Sequence, residues 1–162
     1  EEGEPGTYSD SGVDRIVGVL ARDKPAVLIL LYGTNDELWP LPMSILDTFE
    51  GTTSGNLRRI VQAARANKTL VVLSTIPPVC TPARERQRGN IVQMNEKIRA
   101  LGEELQASDN GVFVGDAWLG FRVFGRPDGC SLISLDSGNH PNEAGYAVLA
   151  RTYYEALGDA RW

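Results

Sequence analysis

AVLILLYGTND, residues 26–36, decides how the rest of this chain is read. Its first six residues are apolar and rich in branched side chains, the composition of a strand buried on both faces of a sheet. Gly33 then breaks the run, and three small polar residues follow where a strand would hand over to a loop. Parallel sheets with helices on both sides are built from such strands. They place ligands in the loops beyond the strands' carboxyl ends.

Working outward, the same grammar recurs. Val13, Ile16, Val17 and Leu20 fall at helical spacing, so residues 11–23 read as an amphipathic helix with Ser11 as its N-cap. Lys24-Pro25 ends it, because a residue before proline avoids the helical region. GTTSGN (51–56) caps a second helix carrying Leu57, Ile60, Val61 and Ala64. TLVVLSTIPP (69–78) is a second buried strand stopped by prolines. A third helix runs from about Asn90 with Ile91, Asn95, Ile98, Leu101 and Leu105 on one side, and PARERQR (82–88) reads as a solvated loop and helix start. GVFVGDAW (111–118) is a third strand. Residues 118–141 read as a long loop, and a final helix carries Tyr146, Leu149, Tyr153 and Leu157. Strand and helix alternate throughout, so the expected fold is α/β, a three-layer, doubly wound parallel sheet.

The bulk numbers narrow the function. The 162 residues, 42% of them apolar, suit one domain spanning 1–162, able to bury roughly two thirds of its unfolded surface. A formal charge of −5 disfavours nucleic acid as a partner. No apolar run is long enough to span a membrane. The phosphate-loop ending is absent after GTTSGN, and a single histidine with two distant cysteines makes no metal cluster, so neither a metal nor another cofactor is expected. Cys80 and Cys130 both lie in expected loops, which leans toward a disulfide and a secreted or periplasmic home, a cytoplasmic one staying open. The chain begins at Glu1 without a methionine and reads as a processed or truncated product, or a fragment.

The polar clusters fall at one sheet edge, and there a family resemblance appears. LLYGTND (30–36) resembles the Gly-x-Asn-Asp block of the SGNH, or GDSL-type, hydrolases. GNHPNEAGY (138–146) is similar to their closing block, in which His-Pro-Asn introduces the last helix. GEPGTYSDSG (3–12) resembles their glycine block, with Gly6 as the matching glycine, and VVLSTIPPV (71–79) fits the strand before their variable loop. The likeness runs along nearly the whole chain.

That resemblance implies the flavodoxin-like SGNH hydrolase fold and a serine hydrolase cleaving small carboxylic esters, such as short-chain acyl, aryl or acetylated-sugar esters, through an acyl-enzyme. His140, the only histidine, would be the general base. The Gly6 backbone N–H and the Asn35 amide would line the oxyanion hole, and Asp36 would brace the loop. Tyr8 and Trp39, with Phe121, are aromatic candidates for the substrate side, against a plainer reading as core or rim residues. Two departures accompany the likeness. The family's aspartate stands three residues before the histidine, where this chain has Ser137. Asp136, one residue earlier, is taken as the orienting carboxylate, while a dyad oriented by a hydroxyl or carbonyl stays open. The family's Gly-Asp-Ser nucleophile block, which follows the first strand, has no match here. Asp10-Ser11 and Asp136-Ser137 contain the dipeptide, but neither follows an apolar strand.

The nucleophile and the first strands are therefore expected from elsewhere: a separate N-terminal piece, or a swapped neighbour that completes the sheet beside the apolar 26–33 strand. Two other readings stand beside this one. A non-catalytic binding module would have kept the fold and lost the serine, and His140 acting on a water would hydrolyse esters without one.

Overall fold

The computed structural model describes residues 4, 6–36, 52–81 and 85–158, with the side chains of 85–87 set aside. Strands β1 (Val27–Leu30), β2 (Leu70–Ser74) and β3 (Val112–Gly115) form a parallel sheet in that order. Register pairs Ile29 with Val72 and Val72 with Phe113, which puts these three side chains on one face. Leu28, Val71 and Val112 share the other.

Each face has its own layer. Helices α1 (Ser9–Asp23), α2 (Thr53–Ala66) and α3 (Glu85–Ser108) pack Ile16, Leu20, Leu57, Ile60, Val61, Ile91, Met94 and Ile98 against Leu30, Val71, Leu73 and Val112. Helices α4 (Ala117–Phe124) and α5 (Glu143–Leu157) bring Ala117, Phe121, Leu149 and Tyr153 against Val72. The result is the expected three-layer α/β arrangement, with a sheet of three parallel strands among the described residues.

The helices begin where side chains can satisfy their first N–H groups. Thr52 accepts from Gly55 N at 3.2 Å to start α2, and Asn142 Oδ1 accepts from Gly145 N at 3.0 Å to start α5. Two boundaries differ from the sequence reading. Helix α1 starts at Ser9, so Ser11 lies inside its first turn and is not the N-cap. The expected loop 118–141 contains α4 and a 3₁₀ turn, Cys130–Leu132. Asp116, read as part of the strand, caps α4 by accepting from Leu119 N at 3.1 Å, and Ala117 and Phe121, four apart, are fully buried.

Helices run back against the strands, so the helix starts lie at the strands' carboxyl edge. The Tyr153 hydroxyl meets Ser74 Oγ at 2.9 Å, at the carboxyl end of β2. The first residue of α5 is ten positions earlier and therefore lies about 15 Å further along the helix, past that edge. Strand β1 is an edge strand among the described residues: Val27 packs against the α5 cluster, but Ile29 is 50% exposed while its neighbour Val72 is fully buried.

Candidate active site

The Gly33–Asp36 turn leaves β1 with Gly33 at φ 112°, a conformation that favours glycine. It holds the segment before α1 by two links. The Asn35 side-chain amide donates from Nδ2 to the Thr7 carbonyl at 2.9 Å. The Asp36 carboxylate accepts the Ser9 N–H at 3.1 and 3.2 Å, as well as the Ser9 hydroxyl. Tyr8, the residue at the cap of α1, supplies no side-chain cap, so Asp36 performs that service from 27 residues away. A carboxylate there also faces the positive end of the helix dipole. Gly6, at φ 76°, stands one residue before Thr7. The structure thus places Gly6 and Asn35, the two oxyanion candidates, on directly linked segments. One Nδ2 proton of Asn35 is committed to Thr7, which fixes the side chain's orientation and leaves the second proton to donate elsewhere.

His140 occupies the loop ahead of α5, and short bonds define that loop. Ser134 N donates to the His140 carbonyl at 2.8 Å, and Gly138 N donates to the Ser134 carbonyl at 2.9 Å. Ile133 and Pro141 form an isolated antiparallel bridge. The loop is tied to the end of β2 by the Cys80–Cys130 disulfide and by Cys80 N donating to the Gly138 carbonyl at 2.7 Å. Gly138 has φ 68°, and a Cβ there would fall 2.0 Å from the Thr81 methyl, so glycine is required on both counts.

His140 and Asp136 are both exposed, and no hydrogen bond joins their side chains. The group that reaches His140 is the Ser137 hydroxyl, which accepts from its backbone N–H at 3.0 Å. No serine hydroxyl among the described residues is hydrogen-bonded to the imidazole. Tyr8 is 40% exposed at the start of α1. Phe121 is fully buried and belongs to the core. Trp39 lies outside the described residues. An open hollow of about 300 Å³ between Pro78, Arg88, Trp118 and Arg122 includes none of these site residues.

Two features escaped the sequence reading. Asp116, at the end of β3, receives a forked ion pair from Arg99 (Nε–Oδ2 2.8 Å, Nη2–Oδ1 3.0 Å) and the Thr75 hydroxyl at 2.9 Å. Burial pushes its pKa up, but the Arg99 hydrogen bonds, the Leu119 N–H and the Thr75 hydroxyl outweigh that and hold it below the ordinary carboxylate value. It fastens β3 to the end of β2 on one side and to α3 on the other. Arg88, within the stretch read as solvated, donates from Nε to the Val79 carbonyl at 2.9 Å and bolsters the same β2 loop. Both contacts are long-range, and no local pattern announces them.

The glycine segment, the Gly33–Asp36 turn and the His-Pro-Asn loop all sit at the carboxyl edge of this sheet. Over residues 2–148 the sequence matches the GDSL-like lipase/acylhydrolase family. The chain belongs to that family. No curated protein shows significant similarity to it. Solved structures do, and they share the GDSL fold. A GDSL-like lipase from Bacteroides thetaiotaomicron superposes with a TM-score of 0.69 at 20% identity, over 96% of this chain and 73% of that one. An acetylxylan esterase from Geobacillus stearothermophilus gives 0.71 at 20% identity, over 94% and 68%. A carbohydrate esterase family 3 protein from Talaromyces cellulolyticus gives 0.71 at 20% identity, over 96% and 69%. The family to which this chain belongs is one of ester hydrolases. No helix among its described residues is long and apolar enough to cross a membrane.

Proposed function

We propose that this chain forms the larger part of a serine esterase acting on small carboxylic esters, with acetylated sugars foremost among them. In this reading His140 takes the proton from a serine hydroxyl as it attacks the ester carbonyl, then returns it to the departing alcohol. The oxyanion that forms is met by the Gly6 N–H and the free Nδ2 proton of Asn35, each such donor being worth about 3 kcal/mol in the transition state. Asp136 is the carboxylate assigned to orient the imidazole in this reading. Acyl-enzyme collapse with water repeats the same proton path.

The observation that carries this reading is the Asn35–Thr7 link. It gives a neutral amide donor one fixed orientation beside the glycine segment, at the sheet edge where His140 also lies. The acetylated-sugar preference rests on two neighbours that are carbohydrate or acetylxylan esterases. Serine chemistry is supported by catalytic mutants of the Geobacillus esterase in which a serine and an aspartate are replaced by alanine.

The nucleophile itself is proposed to come from a preceding segment, or a swapped neighbour, whose strands pair with the outer edge of β1. Support comes from the half-exposed Ile29 on that strand and from the share of each neighbour that the chain leaves unmatched, since it covers 73% of one and 68% of the other. A secreted or periplasmic location accords with the Cys80–Cys130 bridge.

The test is turnover of a short aryl ester and of acetylated xylo-oligosaccharides by the protein carrying its preceding segment. His140→Ala should lower kcat by on the order of 10³-fold or more. Unchanged turnover would remove His140 from the mechanism. A wild-type protein that binds the acetylated sugar without hydrolysing it would favour a binding module, a reading that accords with no serine meeting the imidazole among the described residues.

A further inference from the structure

The Asp36 carboxylate is the hub of a buried polar cluster larger than the mechanism needs. Besides the Ser9 N–H and hydroxyl, it accepts the Thr53 hydroxyl at 3.2 Å. Ser9 Oγ in turn accepts from Asn56 Nδ2 at 2.9 Å. Ser9, Asn56 and Thr53 are 0%, 2% and 4% exposed. The Ser9 hydroxyl has one proton, given to Asp36, and a lone pair, taken by Asn56, so its rotation is fixed. Three chain segments therefore meet at one carboxylate: the start of α1, the turn after β1, and the start of α2.

We infer that Ser9, together with Asp36 and Asn56, is a positioning residue for the oxyanion hole. This rests on the esterase reading above. Gly6 lies three residues before Ser9, and Asn35 adjoins Asp36. The distance between the two oxyanion donors is therefore set at two points, Thr7–Asn35 and Ser9–Asp36. The first point uses the donor amide itself, and a single hydrogen bond would let the glycine segment pivot about it. The second point removes that pivot. The Ser9 hydroxyl matters because it makes Asp36 accept in one geometry, with Asn56 holding it from the α2 side. Without the hydroxyl, Asp36 keeps the Ser9 N–H but loses the Ser9 hydroxyl proton, and Asn56 Nδ2 loses the Ser9 oxygen that links α2 to the carboxylate.

A positioning role has a kinetic signature that a merely structural one lacks. Donors that act only on the oxyanion are felt in the transition state, so their displacement lowers kcat and kcat/KM by the same factor and leaves KM unchanged. The experiment uses the protein with its preceding segment and a short aryl ester, with Ser9→Ala, Asp36→Asn, Asp36→Ala and, as a control, His140→Ala. We expect kcat to fall about 10-fold in Ser9→Ala and about 100-fold in Asp36→Ala. KM should be constant, and Asp36→Asn should recover part of the loss because its carbonyl still accepts from Ser9.

Melting temperature and circular dichroism establish that each variant is folded. If Asp36→Ala does not fold, Ser9→Ala and Asp36→Asn decide. A folded Ser9→Ala with wild-type kcat, or a change confined to KM, overturns the inference while an inactive His140→Ala leaves the esterase reading intact. Wild-type turnover in His140→Ala, or none in the parent protein, overturns the esterase reading itself, and the positioning role falls with it.

Discussion

Asn35 donates its side-chain amide to the Thr7 carbonyl, 28 residues earlier, at 2.9 Å. One bond thereby aligns the turn after β1 with the residue after Gly6. Replacing Asn35 by Asp would set a carboxylate against that carbonyl and delete the free donor. With the proposed preceding segment in place, Asn35→Asp should lower kcat by roughly 10²–10³-fold, the range for losing one oxyanion donor. Steady-state kinetics on a short aryl ester check this, with a thermal melt to confirm folding.

Asp116 predicts how stability responds to acid. Its folded pKa lies below the unfolded value, so its contribution is fully present above about pH 4 and is lost as pH falls through the folded value. Asp109, held low first by its hydrogen bond from Arg65, acts in the same sense. Melting temperature should therefore be flat near neutral pH and decline below about pH 4. Asp116→Asn should destabilise by about 1–3 kcal/mol at pH 7, since Arg99 loses its charged partner. Its acid decline should also be shallower. Melts from pH 7 to 2.5 on both proteins provide the comparison.

The disulfide closes a span of 50 residues between the end of β2 and the loop that leads to His140. Chain entropy assigns such a closure about 4 kcal/mol as an upper figure. A Cys80→Ser, Cys130→Ser double variant should lose about 2–4 kcal/mol in a denaturant titration. It should also expose the 130–140 loop to proteolysis before the rest of the chain, because the Cys80–Gly138 hydrogen bond is then its main tie to β2.

Gly138 is the tightest point of that loop. Gly138→Ala meets both a positive φ and the Thr81 side chain. It should cost about 2 kcal/mol or more, since the loop must shift or strain to admit the methyl group. The shift would move His140, so kcat should fall alongside the melting temperature.

Ile29 tests what covers β1. In the chain of residues 1–162 alone it is half exposed, and Ile29→Lys should change stability by less than about 0.5 kcal/mol. If a preceding segment packs over it in the complete protein, the same substitution there should cost about 2 kcal/mol or more, because it would bury an unpaired charge. Denaturant titrations of both forms compare the two costs.

How much of this was legible beforehand follows the range of the interactions. The strands were readable because each is a continuous apolar run, but only Leu70–Ser74 is buried on both faces as that composition implied; in Val27–Leu30 Ile29 is half exposed. The helices Thr53–Ala66 and Glu143–Leu157 were readable because their caps and apolar spacing are local. Helix Ala117–Phe124 was not, since its cap, Asp116, ends a strand and its two core residues are only four apart. At the site, residue types and blocks singled out Gly6, Asn35 and His140. What they could not show is which side chain holds which. The Asp36–Ser9 clamp and the Asp116–Arg99 pair join positions 27 and 17 residues apart. Orientation of the His140 ring lies at the same limit, for the sequence offered Asp136 and Ser137 alike, and the hydroxyl engages the backbone rather than the ring.

The most direct measurement is to label the protein carrying the proposed preceding segment with a fluorophosphonate and map the modified residue by peptide mass. The account predicts one labelled serine, in the segment before Glu1, with labelling abolished in His140→Ala. Label on a serine within residues 1–162, or no label on a protein that still hydrolyses esters, would contradict it.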